Sequence, residues 1–163
     1  MNKIFLFFII IGVCLIRLAP HPVNFTPILS IALFSGFIFR NKLGFLVPMS
    51  IMILTDFFIG NYQMSVWVYS SLFLIYFISA NYEKFNLSLT LKISLIGSFS
   101  FFIITNFGVW IVGYPKSFNG IVACYYAALP FYKNTLLSTL AYSTIFYFIY
   151  DYSFKYSLNY SKK

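Results

Sequence analysis

Two formally charged residues stand where long apolar runs leave them little water: Arg17, which follows residues 4–16, and Asp56, inside residues 43–60. Either charge, carried to the centre of a lipid-embedded helix, costs about 2.5–3.5 kcal/mol on the insertion scale unless it is paired or hydrated. A guanidinium and a carboxylate can lock two helices together as an ion pair, and either can meet a ligand or an ion. Arg17 is also long enough to snorkel to an interface, whereas the aspartate side chain is too short. A third candidate is Asn106, in Thr105-Asn106-Phe107-Gly108-Val109-Trp110. Trp110 lies four residues on, hence on the same helical face, where it suits a membrane anchor or the wall of a pocket.

Pro20-His21-Pro22-Val23-Asn24-Phe25-Thr26-Pro27 holds three prolines in eight positions. It is not helical throughout, and it presents His21, Asn24 and Thr26 on a stiffened elbow. His21 alone is no metal site, because ligand clusters need several His, Cys or carboxylate groups; neither a metal nor a cofactor is expected. Cys124-Tyr125-Tyr126-Ala127-Ala128-Leu129-Pro130-Phe131 forms a lid or floor, with Tyr125 as its polar aromatic, or serves only as interfacial packing. Cys14, inside the first apolar run, reads as a small hydrophobe. Phosphate-cradling glycine loops, cysteine pairs and a Ser-His-Asp elbow are missing from the sequence.

The elements that carry these residues follow from composition. Of 163 residues, 61% are hydrophobic, 23% aromatic and 9% charged, with a mean hydropathy of +0.86. A soluble domain keeps roughly a quarter of its residues charged, so this chain needs lipid as solvent over much of its surface. Solid apolar runs favour helices over the alternating strands of a membrane barrel. The net charge of +8 comes from basic residues scattered singly between those runs. That pattern suits loop anchors on anionic lipid rather than a phosphate-tracking stripe, so no nucleic acid partner is expected.

Runs and breakers predict an all-α membrane protein, one domain over residues 1–163, with six transmembrane helices near residues 4–19, 27–39, 43–60, 64–82, 91–113 and 134–152. Between the last two, Pro115, Gly120 and Pro130 bracket residues 121–129 as a short partial or re-entrant helix at the membrane surface. The first run lacks a small-x-small cleavage site and reads as a retained helix. With the N-terminus in the cytoplasm, eight basic residues fall inside (Lys3, Arg40, Lys42, Lys84, Lys92, Lys155, Lys162, Lys163) and three outside (Arg17, Lys116, Lys133). That bias supports an even number of crossings with both termini cytoplasmic, in a cell inner membrane.

Arg17, Asp56 and Asn106 each lie 14 residues after a basic anchor, at Lys3, Lys42 and Lys92, while Thr26 and Ser70 lie 14 before Arg40 and Lys84. At ~1.5 Å per residue all five rise ~21 Å through a ~30 Å core, a shared layer in its outer third. Ala32 with Gly36, and Ser94 with Ser98, are small-xxx-small pairs that permit close helix packing.

The elbow residues 20–27, Asp56 with Gly60, the 105–110 segment, Tyr114-Pro115, Gly120, Cys124-Tyr125, Ala128, Pro130-Phe131, Asn134-Thr135 and Tyr142 together resemble a bacterial membrane family known only as domain of unknown function 6580. The resemblance runs from Arg17 to Phe146 and adds Asn134 to the candidate site. It departs where the family pattern carries Gly-Asp after the Asn-Thr pair and this chain has Ser138-Thr139. At fold level, six short helices in a chain of this size resemble the substrate-binding S subunits of energy-coupling-factor vitamin importers, which dock on a membrane subunit and ATPases. The small-residue docking motif of their first helix is absent, since residues 4–16 offer only Gly12 and Cys14. The expected function is therefore a small-molecule-binding membrane subunit, with the capture component of an importer as its narrower form. Its outward pocket would hold a polar or anionic ligand among Arg17, His21, Asn24, Thr26, Asp56, Asn106, Trp110, Tyr125 and Asn134. Two alternatives stand beside it: an assembly subunit locked by Arg17 and Asp56, and an intramembrane enzyme using His21 and Asp56 as a proton-transfer pair.

Overall fold

A computed structural model describes residues 3–40, 42–60, 63–83 and 85–160, and these are all helix, turn or irregular chain. The lysines counted as anchors at 84, 162 and 163 lie outside the described residues. The helices are α1 (Lys3–Leu18), α2 (Ile28–Phe39), α3 (Leu46–Ile59), α4 (Ser65–Ala80), α5 (Leu87–Gly113) and α6 (Phe118–Tyr160), with a 3-10 turn at Lys42–Phe45 leading into α3. Of these, α5 is long and apolar enough to cross a membrane, while α1 to α4 are shorter apolar helices.

The helix ends follow local chemistry. α1 stops before Pro20, and Pro48 falls in the first turn of α3, where a missing N–H leaves no helical bond unmade. α5 starts four residues earlier than the apolar run suggests, because the Asn86 side chain accepts from the Leu89 amide at 2.9 Å and caps it. Ser117 does the same for α6, its hydroxyl accepting from the Gly120 amide at 3.1 Å.

The expected short helix before the last is not a separate element. Residues 121–129 are the first turns of α6, which runs unbroken for 43 residues with Pro130 inside it. Pro130 removes one donor and leaves the Tyr126 carbonyl without its helical partner. Both residues face the outside, where the ring and the lost bond do not end the helix.

α2 sets the packing. Every residue from Ile28 to Phe37 is buried, as befits a helix that is apolar all round, and α4, α6, α3 and α5 surround it. Gly36 lets α2 touch α4: a Cβ there would fall on Ser79 Oγ and 2.6 Å from the Tyr76 carbonyl. Buried hydroxyls along the same seam, among them Ser35, Ser71, Ser79 and Ser94, bond carbonyls three or four residues back in their own helices. An aromatic cluster fills one end of the bundle, with Phe85 4.9 Å from Phe37 and 5.0 Å from Tyr150, and Phe34 5.6 Å from Phe146. α1 is peripheral and rests mainly on α3.

Gly36→Val should lower the unfolding midpoint in detergent by the equivalent of about 1–3 kcal/mol, the usual cost of overpacking. Gly12, whose added Cβ would meet nothing within 4 Å, should accept Ala with no loss. Thermal unfolding of the two variants side by side checks both; equal effects would contradict the close α2–α4 contact.

Candidate functional site

The costliest side chains find each other. Arg17, in the last turn of α1, donates through one terminal nitrogen to Asp56 Oδ1 at 2.7 Å and through the other to Thr55 Oγ1. Asp56 Oδ2 accepts from the Tyr69 hydroxyl at 2.6 Å. Thr55 donates its own hydroxyl to the Ile51 carbonyl at 2.7 Å. The network ties α1, α3 and α4 together, with the two charged side chains 10% and 4% exposed. Each group is satisfied by another, which is the condition for burying charge.

Beside this network lies a cavity of about 590 Å³. Its walls come from the C-terminal half of α1, the N-terminal turns of α2, the C-terminal half of α3, Val68 of α4, the C-terminal half of α5 and the N-terminal half of α6. Alternate ends of successive helices therefore meet there, which is an up-and-down arrangement with the 19–27 elbow at the cavity end. Leu29, Met52, Phe101, Phe102, Phe131 and Tyr132 make the wall mostly apolar.

Of the residues singled out by sequence, Arg17, His21, Asn24, Thr26 and Asn106 line this cavity. Asn106 donates its amide to the Phe102 carbonyl at 2.7 Å, and its backbone carbonyl accepts from Cys124 Sγ at 3.5 Å. Both ring nitrogens of His21 face carbonyls, Nδ1 that of Pro22 at 2.9 Å and Nε2 that of Arg17 at 3.1 Å; a neutral ring donates to only one of them. The Asp56 carboxylate is engaged by Arg17 and Tyr69, and His21 by backbone carbonyls.

The other four are near but not in the lining. Asp56 is behind Arg17. Trp110 donates to the Pro115 carbonyl at 3.0 Å and carries Lys116 over its ring, the ammonium 5.3 Å from the centroid and bonded to the Trp110 and Tyr114 carbonyls. Trp110 and Lys116 thus close the end of α5. Tyr125 donates to the Ile103 carbonyl at 2.8 Å and joins α6 to α5. Asn134 donates to the Val23 carbonyl at 3.0 Å, and Ser138 to that of Asn24 at 3.4 Å, so α6 holds the elbow in place. Phe25 packs on Tyr142 at 6.0 Å, and Asn24 takes the left-handed backbone (φ 62°) that asparagine tolerates. Ser70, placed by count in the same layer, is exposed and bonds its own helix at Val66.

These motifs share one geometry, and they are the motifs that carried the resemblance. The chain belongs to the family of unknown function DUF6580. The family's profile matches residues 1–159. No curated protein and no solved structure matches the chain. Several DUF6580 motif positions in this chain thus have structural work rather than a place in the lining: Asn134 and Tyr142 brace the elbow, and Gly108 and Gly120 leave room for Trp67 and the Pro115 carbonyl, onto which a Cβ would fall.

Arg17→Gln and Asp56→Asn should each destabilise the protein by about 3–5 kcal/mol, because each strands the other partner in a buried site. The double variant Arg17→Met/Asp56→Leu should recover most of that loss. Chemical unfolding in detergent across this cycle checks it; additive losses would mean that the pair is not coupled.

Proposed function

We propose that this DUF6580 protein is a six-helix, multi-pass membrane protein that binds a small molecule in the cavity at its elbow end, with that end outward and both termini in the cytoplasm. The observation that carries the reading is the cavity itself: about 590 Å³, lined from all six helices, with mostly apolar walls and hydrogen-bonding groups that include Asn24, Thr26 and Asn106. This is the size and composition of small-molecule sites.

The membrane part rests on the exterior. Phe57 and Phe58 of α3 are 84% and 72% exposed, and Phe7, Phe8 and Leu15 of α1 are also exposed. Water does not tolerate contiguous patches of this kind, and lipid does. Helices of 12–16 residues reach only about 18–24 Å, less than a ~30 Å core. Bilayer thinning and tilt near such helices accommodate the mismatch. The excess of basic residues on the side away from the elbow supplies the orientation. Capture of a molecule for separate transport subunits extends the same reading, on helix number and chain length alone.

An assembly subunit without a ligand is the second reading, favoured by the fully satisfied Arg17–Asp56 lock. Native mass spectrometry of gently extracted protein separates the two. A bound small molecule that is lost in Ala127→Trp, which fills the cavity from α6, supports the first; partner subunits with an empty cavity support the second. Asn106→Ala should weaken binding about tenfold, close to the worth of one hydrogen bond, without unfolding the protein.

For orientation, a cysteine at Val23 in a background lacking Cys14 and Cys124 should react with an impermeant maleimide in intact cells. One at Glu83 should react only after permeabilisation. The reverse pattern would invert the topology.

A further inference from the structure

We infer that the cavity selects an uncharged molecule with a flat apolar body and hydrogen-bonding groups at one end, and that Asp56 enforces this by holding Arg17. The inference rests on the binding reading above and narrows it; a polar or anionic ligand is what sequence alone suggests.

Among the described residues, Arg17 is the one Lys, Arg, Asp or Glu side chain in the lining. It is already engaged, at 2.7 Å from a carboxylate whose second oxygen takes the Tyr69 hydroxyl. A ligand carboxylate that recruited Arg17 would strand Asp56, 4% exposed, without its countercharge. His21 offers no ready donor either, since both ring nitrogens are directed at carbonyls. Lys116 is turned to the end of α5 and the Trp110 ring. An anion entering the cavity therefore loses its hydration and gains no unpaired cation, and a cation gains no unpaired carboxylate. A neutral ring system loses little and gains the faces of Phe101, Phe102, Phe131 and Tyr132. The Asn106 side-chain oxygen accepts one donor from the ligand's polar end.

The same geometry makes a reversal predictable. Asp56→Asn keeps the shape of the side chain and removes its charge, so Arg17 keeps its positive charge and becomes available at the cavity wall. The test uses three probes that share one ring: 2-naphthamide, 2-naphthoate and 2-naphthylmethylammonium. Equilibrium dialysis against purified full-length protein measures each, with the Ala127→Trp protein as the background for uptake by detergent. The wild type should bind the amide at least tenfold more tightly than either ion. Asp56→Asn should shift the preference at least tenfold toward the naphthoate. A wild type that prefers the naphthoate or the ammonium overturns the selectivity and leaves the binding reading intact. Should Asp56→Asn fail to fold, the wild-type ranking alone decides. Equal uptake of all three probes by wild type and Ala127→Trp sinks the binding reading, and the selectivity with it.

Discussion

A carboxylate surrounded by apolar helices must be given partners, and much of the organisation at the elbow end answers that demand. Asp56 takes Arg17 from α1 and Tyr69 from α4, while Thr55 beside it takes the second nitrogen of the arginine. Three helices are thereby fixed at one height. α1 in particular has little else to hold it, since it lies at the edge and touches mainly α3. The pair also decides the electrical character of the cavity next to it, because Arg17, the one Lys, Arg, Asp or Glu in the wall among the described residues, is neutralised from behind.

Much of this was legible in the sequence because charge is so rare in it. With apolar runs on both sides, Arg17 and Asp56 had few ways to be satisfied, and counting residues from basic anchors put them, Thr26 and Asn106 at one level. Thr26, Arg17 and Asn106 do border a common cavity. The same count failed for Ser70, since helical height says nothing about which way a side chain points, and Ser70 faces out while its neighbour Tyr69 faces Asp56. Tyr69 itself carried no signal in a chain with 14 tyrosines. The apolar lining, Phe101 and Phe131 for example, was hidden for the same reason: an aromatic residue in an aromatic-rich chain does not announce a pocket.

Proline misled in one place and informed in another. At residues 20–27 three of them do break the chain, and the elbow is real. Pro130 looked equivalent but sits on an outward face of a helix that α5 supports along much of its length, so α6 continues through it. Of the polar candidates, Asn134 is a brace that reaches the Val23 carbonyl, and Trp110 and Tyr125 likewise bond from side chain to backbone around the cavity.

The brace has a consequence for the order in which the molecule can be completed. Val23 and Asn134 are 111 residues apart, Asn24 and Ser138 are 114 apart, and Ser30 reaches the Thr139 carbonyl across 109. At synthesis rates of about 5–20 residues per second, the first two helices wait roughly 5–20 s for these contacts to exist. The rim of the cavity is thus set late, and a nascent chain that stops short of α6 carries an elbow without these braces.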